Sequence, residues 1–479
     1  MYKPNPVDTR QGSYTFKNIR YAAPPDGSVG HSCVQAAPNG LNLLGTGSKS
    51  PIGGAINQFE DYLFLDIWKL PGTVFAYGGA YVFESKDSLQ LELPFYGGTG
   101  LVSQSGNNMI FVAMNYRNEG TLSAGLCDQG CISLAGGDPG RVTAKGQSAG
   151  GGSITHHVVG KGRKLNPLFS KAIVLSPVFE YMWDRAGTVQ NALESFAKLS
   201  GCAGQGILCL RRADASTLAN ANTQLMEQQY LGTFATGVTP DGSTGNSWDI
   251  ESLILSHTTA EPSVFVNGLV QTESGFTLFL DAIFLNYTQV ARITDKINAF
   301  YAVSGESKYK SQTDRVQALL RDSSFTCNVR HLTEGFGDSK VWNMQYGVSP
   351  GWYGTDLFPI LSSKLGGKSW LDDLTALMTP GIGSLVSGFS VALQSYLTSY
   401  ILTGDPNTNR KIFSIPPAIR WNHPSSQTEQ ISGVAILGNW GFSTVKDNQN
   451  EKAACDFWGY IAAAVTSLGG YSPPGAVVQ

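Results

Sequence analysis

The residues best suited to chemistry lie at Gly146-Gln147-Ser148-Ala149-Gly150, between a strand-like run and a helix start rich in small residues. A serine hydroxyl is a weak nucleophile until a base takes its proton, so it needs both an exposed perch and a partner. The G-x-S-x-G spacing supplies the perch. Glycines on either side let strand and helix crowd together, and the serine stands exposed at the sheet's edge. Upstream, Tyr77-Gly78-Gly79-Ala80-Tyr81 closes another strand with a glycine loop, which taken alone is also compatible with a plain strand-end turn.

Positioning such a serine requires a sheet, and the chain carries the runs to build one. Residues 14–22, Leu63–Trp68, Thr73–Tyr77, Met109–Tyr116, Val142–Lys145 and Ala172–Ser176 read as strands. The fourth is nearly all apolar, as a strand covered on both faces should be. Helical spacing fills Val189–Leu199, Asp314–Leu320, Leu385–Leu402 and Cys455–Leu468. Strands alternating with helices predict an α/β fold with a mostly parallel sheet between helical layers. No internal repeat and no seam divides the 479 residues, so a single domain over 1–479 is expected.

Composition narrows the class. Apolar residues make up 42% and charged ones 14%, with a net charge of −3, which leaves no cationic surface for nucleic acid. The longest apolar stretch, Ala376–Leu393, is interrupted by Pro380 and small polar residues, so no membrane-spanning segment is expected. No metal or cofactor is expected either, since cysteine pairs and histidines at ligand spacing are absent. Cys202 and Cys209 close a short glycine-containing loop that an oxidising compartment would bridge easily; unpaired core thiols are the alternative.

Several pieces in order carry a family resemblance: Glu60–Trp68, the Tyr77–Tyr81 loop, Asn115-Tyr116-Arg117, Ala124–Gln129, Gly136–Thr143 leading into the elbow, and Cys455-Asp456-Phe457-Trp458. The chain resembles the type-B carboxylesterases, the α/β-hydrolases that include lipases and cholinesterases. The resemblance implies that Ser148 accepts the acyl group of an ester and that backbone N–H groups of Gly79, Ala80 and Ala149 receive the oxyanion. The implied acid is Glu273, on a turn after a strand read at Val264–Val270. The slot for the family's histidine, after a strand at Val341–Tyr346, holds Tyr353. A phenol titrates near pH ~10 and is a poor base at neutrality.

None of the six histidines resembles a triad member; His156 and His157 fall on the elbow helix, His331 on another helix, and His31, His257 and His423 in loops. Cys327 and Cys455 resemble a bridged pair of some members, whereas Cys33, Cys127 and Cys131 lack their family partners. The segments joining Trp68 to Val74 and Arg117 to Val142 are shorter than the family pattern, and Gln147 replaces its acidic residue.

Two readings follow. The first is a serine carboxylic-ester hydrolase acting on a small-molecule or lipid ester, slowed by its missing base. The second is a catalytically silent relative that binds ligands or partners. The family, the cysteines and a glycosylation sequon at Asn286 point to secretion, although residues 1–6 lack the apolar core of a signal peptide.

Overall fold

Ser148 stands near the middle of a ten-stranded sheet. The computed structural model describes residues 15–20, 63–68, 73–80, 84–86, 96–116, 132, 136–159, 168–178, 185–229, 234–238, 250–266, 268–284, 292–303, 305, 307–362 and 382–468. Asn286, Cys33, Cys127, Cys131 and most of the shortened segments lie outside these residues. The strands are β1 (Thr15–Arg20), β2 (Phe64–Trp68), β3 (Thr73–Ala76), β4 (Phe111–Met114), β5 (Thr143–Gln147), β6 (Lys171–Leu175), β7 (Ser252–Thr258), β8 (Val341–Gly347), β9 (Val434–Gly438) and β10 (Gly441–Val445). Their order across the sheet is β1-β2-β4-β3-β5-β6-β7-β8-β9-β10. The stretch from β4 to β9 is parallel, and β1, β2 and β10 run antiparallel at the edges.

The helices that matter here are α1 (Thr99–Gln104), α2 (Ala149–Val159), α3 (Gln190–Leu199), α4 (Glu273–Ile283), α5 (Gln312–Leu320), α6 (Cys327–Phe336), α7 (Leu357–Leu361), α8 (Ile382–Thr403) and α9 (Lys452–Leu468). All five residues of β5 and of β6 are buried, as expected where helices cover both faces of parallel strands. One large apolar core spans the sheet and α8; a second joins α4 and α5 to Trp458, Ile461 and Val465 of α9. Disulfides join Cys202 to Cys209, with Cα atoms 5.7 Å apart, and Cys327 of α6 to Cys455 of α9, 5.0 Å apart.

One sequence expectation fails. Val264–Val270 is not a strand: Glu261–Val264 and Gly268–Gln271 form 3₁₀ turns, the first opened by Pro262. The strand in this part of the chain is β7, ten residues earlier.

Candidate active site

The elbow is dictated by space. A Cβ on Gly146 would stand 2.4 Å from the Gly150 carbonyl oxygen, and one on Gly150 would stand 2.3 Å from the carbonyl oxygens of both Ala76 and Tyr77. Only glycine fits at either position, and the crossing forces Ser148 to φ +60°. A non-glycine residue in this region is uncommon and persists only where its surroundings hold it. Here the hold is backbone: Ser148 N–H donates to Leu175 O at 3.0 Å, while Gly152 N–H donates to Ser148 O at 2.8 Å. Ser148 therefore sits just past the carboxyl end of β5, at the start of α2.

The glycine loop passes directly over it. A Cβ on Gly78 would lie 2.8 Å from Ser148 Cβ and 3.3 Å from its Oγ. Gly79 and Ala80 follow at φ +89° and +48°. The loop is braced from below, where Tyr116 Oη donates to Tyr77 O at 2.6 Å and to Gly78 O at 3.2 Å, and Tyr77 Oη donates to Tyr116 O at 3.3 Å. A peptide unit is planar and trans, so fixing the Gly78 carbonyl also fixes the Gly79 N–H in the opposite direction. Glu84 faces the Gly78 N–H and accepts from Tyr96 Oη at 2.6 Å. Burial pushes the Glu84 carboxyl up to about 7 against those hydrogen bonds.

The third side of the site comes from the turn after β8. Ala260 N–H donates to Gly351 O at 2.8 Å, and Thr259 N–H to Tyr346 O at 2.9 Å, which locks this turn to the one after β7. The lock carries Tyr353 back across the sheet, where its ring packs edge-on against Phe265 and Phe325 at 4.9 and 5.3 Å between centroids. The Tyr353 hydroxyl is shut off from water and lies against the Ser148 side chain, without the alignment of a hydrogen bond. Burial holds that phenol well above its ordinary pKa; contact with Ser148 opposes the shift and the nearby charge of Glu261 adds to it. The group facing the serine is therefore a neutral phenol.

Glu261, not Glu273, is the carboxylate beside Tyr353. Glu261 is fully buried just beyond β7, and its Oε1 accepts Thr258 N–H at 2.7 Å. Burial raises its pKa to about 7, against the charge of His257 and the hydroxyl of Ser176. Glu273 instead opens α4 at the surface, 65% exposed, with its carboxylate 2.9 Å from Arg315 Nη2 and 3.1 Å from Gln312 Nε2. An acid in that position is committed to a surface ion pair. The sequence signal for Glu261 was an acid directly after the apolar core Leu253-Ile254-Leu255, with a proline behind it.

The histidines divide by environment. His257 is on β7 rather than in a loop, and its Nε2 lies 2.7 Å from Asp447 Oδ2, both side chains buried. Burial alone would lower its pKa, but the Asp447 carboxylate outweighs burial and raises it. Burial lowers His156 to about 4, and His157 adds to the shift. His423 stacks on Trp342 and bonds Val341 O.

Behind the serine lies a polar pocket that sequence reading missed. Lys145 and Asp356 are both fully buried, and neither the Lys145 ammonium nor the Asp356 carboxylate has a hydrogen-bond partner. Burial pulls Lys145 down to about 7 against the pull of Asp356, and pushes Asp356 up to about 6 against the pull of Lys145. Among the described residues no group of three or more His, Cys, Asp or Glu side chains is arranged to hold a metal ion.

A serine at a strained strand-to-helix turn, on the carboxyl side of a parallel sheet and under a glycine loop, defines an α/β-hydrolase. The chain belongs to the carboxylesterase family, whose model matches residues 129–458. It is 34% identical to a secreted lipase of Arthroderma benhamiae, over 94% of this chain and 91% of that one. Carboxylesterase patB of Penicillium expansum is 25% identical over 82% of this chain and 84% of its own. Among solved structures, Aspergillus niger EstA superposes with a TM-score of 0.70 at 21% identity, covering 96% of each chain.

Proposed function

We propose that the protein hydrolyses carboxylic esters by acyl transfer to Ser148, and that Tyr353 holds its turnover down. The observation that carries the reading is the strained Ser148 set between the braced glycine loop and the Tyr353 turn. Ser148 Oγ attacks the ester carbonyl, and the N–H groups of Gly79, Ala80 and Ala149 receive the oxyanion. The alcohol leaves, and water then releases the acid from the acyl-serine. Each attack needs a proton removed from the nucleophile, and a neutral buried phenol is the side chain in contact with Ser148. In this reading Glu261 is the acid of the relay, Tyr353 fills the position of a base, and Ser176 steadies Glu261. The substrate is a small-molecule or lipid ester, consistent with relatives named lipase and carboxylesterase.

Secretion fits the two disulfides and the secreted relative. Among the described residues, no helix is long and apolar enough to cross a membrane. The second reading, a silent binding protein, draws on Tyr353 alone. A fluorophosphonate probe separates the two. Labelling that disappears in Ser148→Ala supports the hydrolase, and a folded protein that takes no label supports the silent relative.

A further inference from the structure

The hairpin that ends the sheet leaves large apolar side chains in water. Trp440, at the β9–β10 turn, is 99% exposed; Phe413 and Ile415, on the loop after α8, are 93% and 88% exposed. Scattered apolar residues on a surface need no explanation, but large ones gathered at one place mark a contact site. These are gathered. A Cβ on Gly441 would stand 2.8 Å from Pro416 Cβ, so the neighbours of Trp440 and of Ile415 touch.

The patch also faces the right way. β9 runs parallel to β8, so its end at Gly438 lies on the same carboxyl side of the sheet as Ser148. Asn439 Oδ1 accepts the Ser349 N–H at 2.7 Å, which ties the hairpin turn to the segment that leads into Tyr353.

Charge decides what the patch would meet. From residue 406 to 446 the chain carries Arg410, Lys411, Arg420 and Lys446 against a single acid, Glu429, in a protein whose net charge is −3. Glu429 is itself engaged, accepting the Ala453 N–H at the start of α9. Exposed Lys411 stands two residues before Phe413. An aromatic and aliphatic tip beside cations, with no free acid, matches an anionic lipid surface: the rings settle at headgroup depth while the cations meet the headgroups.

We propose that Trp440, Phe413 and Ile415 dock the protein on an anionic lipid layer, with the Ser148 side of the sheet turned toward it. That esters within the layer are the substrate rests on the hydrolase reading; the docking does not.

The test is co-sedimentation of the full chain with vesicles of phosphatidylcholine, alone or with about 30 mol % phosphatidylglycerol. Binding to the anionic vesicles is expected, falling with added salt and weakened roughly tenfold in Phe413→Ser/Trp440→Ser. These side chains bury nothing, so the variant should keep its Tm. Leu208→Ser, at another exposed apolar position, should bind as the parent does. Absent binding, or equal binding by the double variant, overturns the proposal. A concentration-dependent dimer that the double variant loses, with no vesicle binding, makes the patch a contact between copies and overturns it too. Fluorophosphonate labelling of Ser148 in the same samples keeps the two readings apart: labelling without docking sinks only this inference, and docking without labelling sinks only the hydrolase.

Discussion

The two halves of the active site are built on opposite principles. The elbow is local: Gly146, Ser148 and Gly150 lie within five residues, and their geometry follows from backbone contacts that admit no other side chain. The opposing half is assembled from turns after β7 and β8, held together by two backbone hydrogen bonds and lined by ionisable groups pushed away from their ordinary pKa values. The elbow is fully prepared for acyl transfer. The opposing half holds a phenol where proton transfer is needed. A nucleophile's perch can thus remain intact while its activation is lost, because the two depend on different parts of the chain.

The largest effect should come from breaking the elbow itself. Gly150→Val puts a branched side chain into the carbonyls of Ala76 and Tyr77 and should cost more than about 3 kcal/mol, leaving little soluble protein at 37 °C in an expression and melting assay.

Next comes repair of the opposite half. Tyr353→His should raise the rate on a simple aryl ester by roughly 10²-fold, as positioned general-base catalysis does, and the gain should vanish when Ser148→Ala is added. A folded Tyr353→His protein with no gain would mean that something other than the missing base disables the site.

The two candidate acids can then be ranked within the repaired protein. Adding Glu261→Gln to Tyr353→His should remove at least about tenfold of the restored rate, since the imidazole loses the carboxylate that orients it. Glu273→Gln in the same background should leave the rate within about twofold, its surface ion pair being worth little. Reversed outcomes would return the role to Glu273.

The smallest effect concerns Lys145. Its folded pKa lies at about 7, against 10.5 for an unperturbed lysine. Between these values the unfolded chain binds the proton and the folded chain does not, so this group makes stability rise with pH across that window. Glu84 and Glu261, raised from 4.5 to about 7, act below it: their contribution is lost as pH rises toward 7. Lys145→Met should therefore raise Tm by roughly 2–4 °C at pH 7, with the gain shrinking as pH approaches 10. A uniform gain at every pH would assign it to packing rather than to the buried charge.

The sequence disclosed the elbow, the glycine loop and most of the sheet, because these rest on local rules: glycine where backbones touch, and apolar runs where strands are covered twice. Glu261 was hidden for a physical reason. β7 reads Ser252-Leu253-Ile254-Leu255-Ser256-His257-Thr258, too polar for a central strand until His257 is seen to be paired with Asp447, 190 residues away. Val264–Val270 has the better strand composition, yet Pro262 and Gly268 break it into turns. The Lys145–Asp356 pocket was equally out of reach, since it exists only when β5 and the segment after Tyr353 meet.

The bond between Cys327 and Cys455 has a bearing on how the protein must be made. It closes a loop of 128 residues that contains β8, the Tyr353 turn, α8 and the β9–β10 hairpin. Closing a loop of that size withdraws about 5 kcal/mol of chain entropy from the unfolded state. Gly146, Ser148 and Gly150 lie outside it. Material produced in a reducing cytosol would lose that restraint on one half of the site only, keeping a shaped nucleophile beside a loosened opposite wall. Redox history would then be an uncontrolled variable in any assay of this protein unless free thiols are counted first.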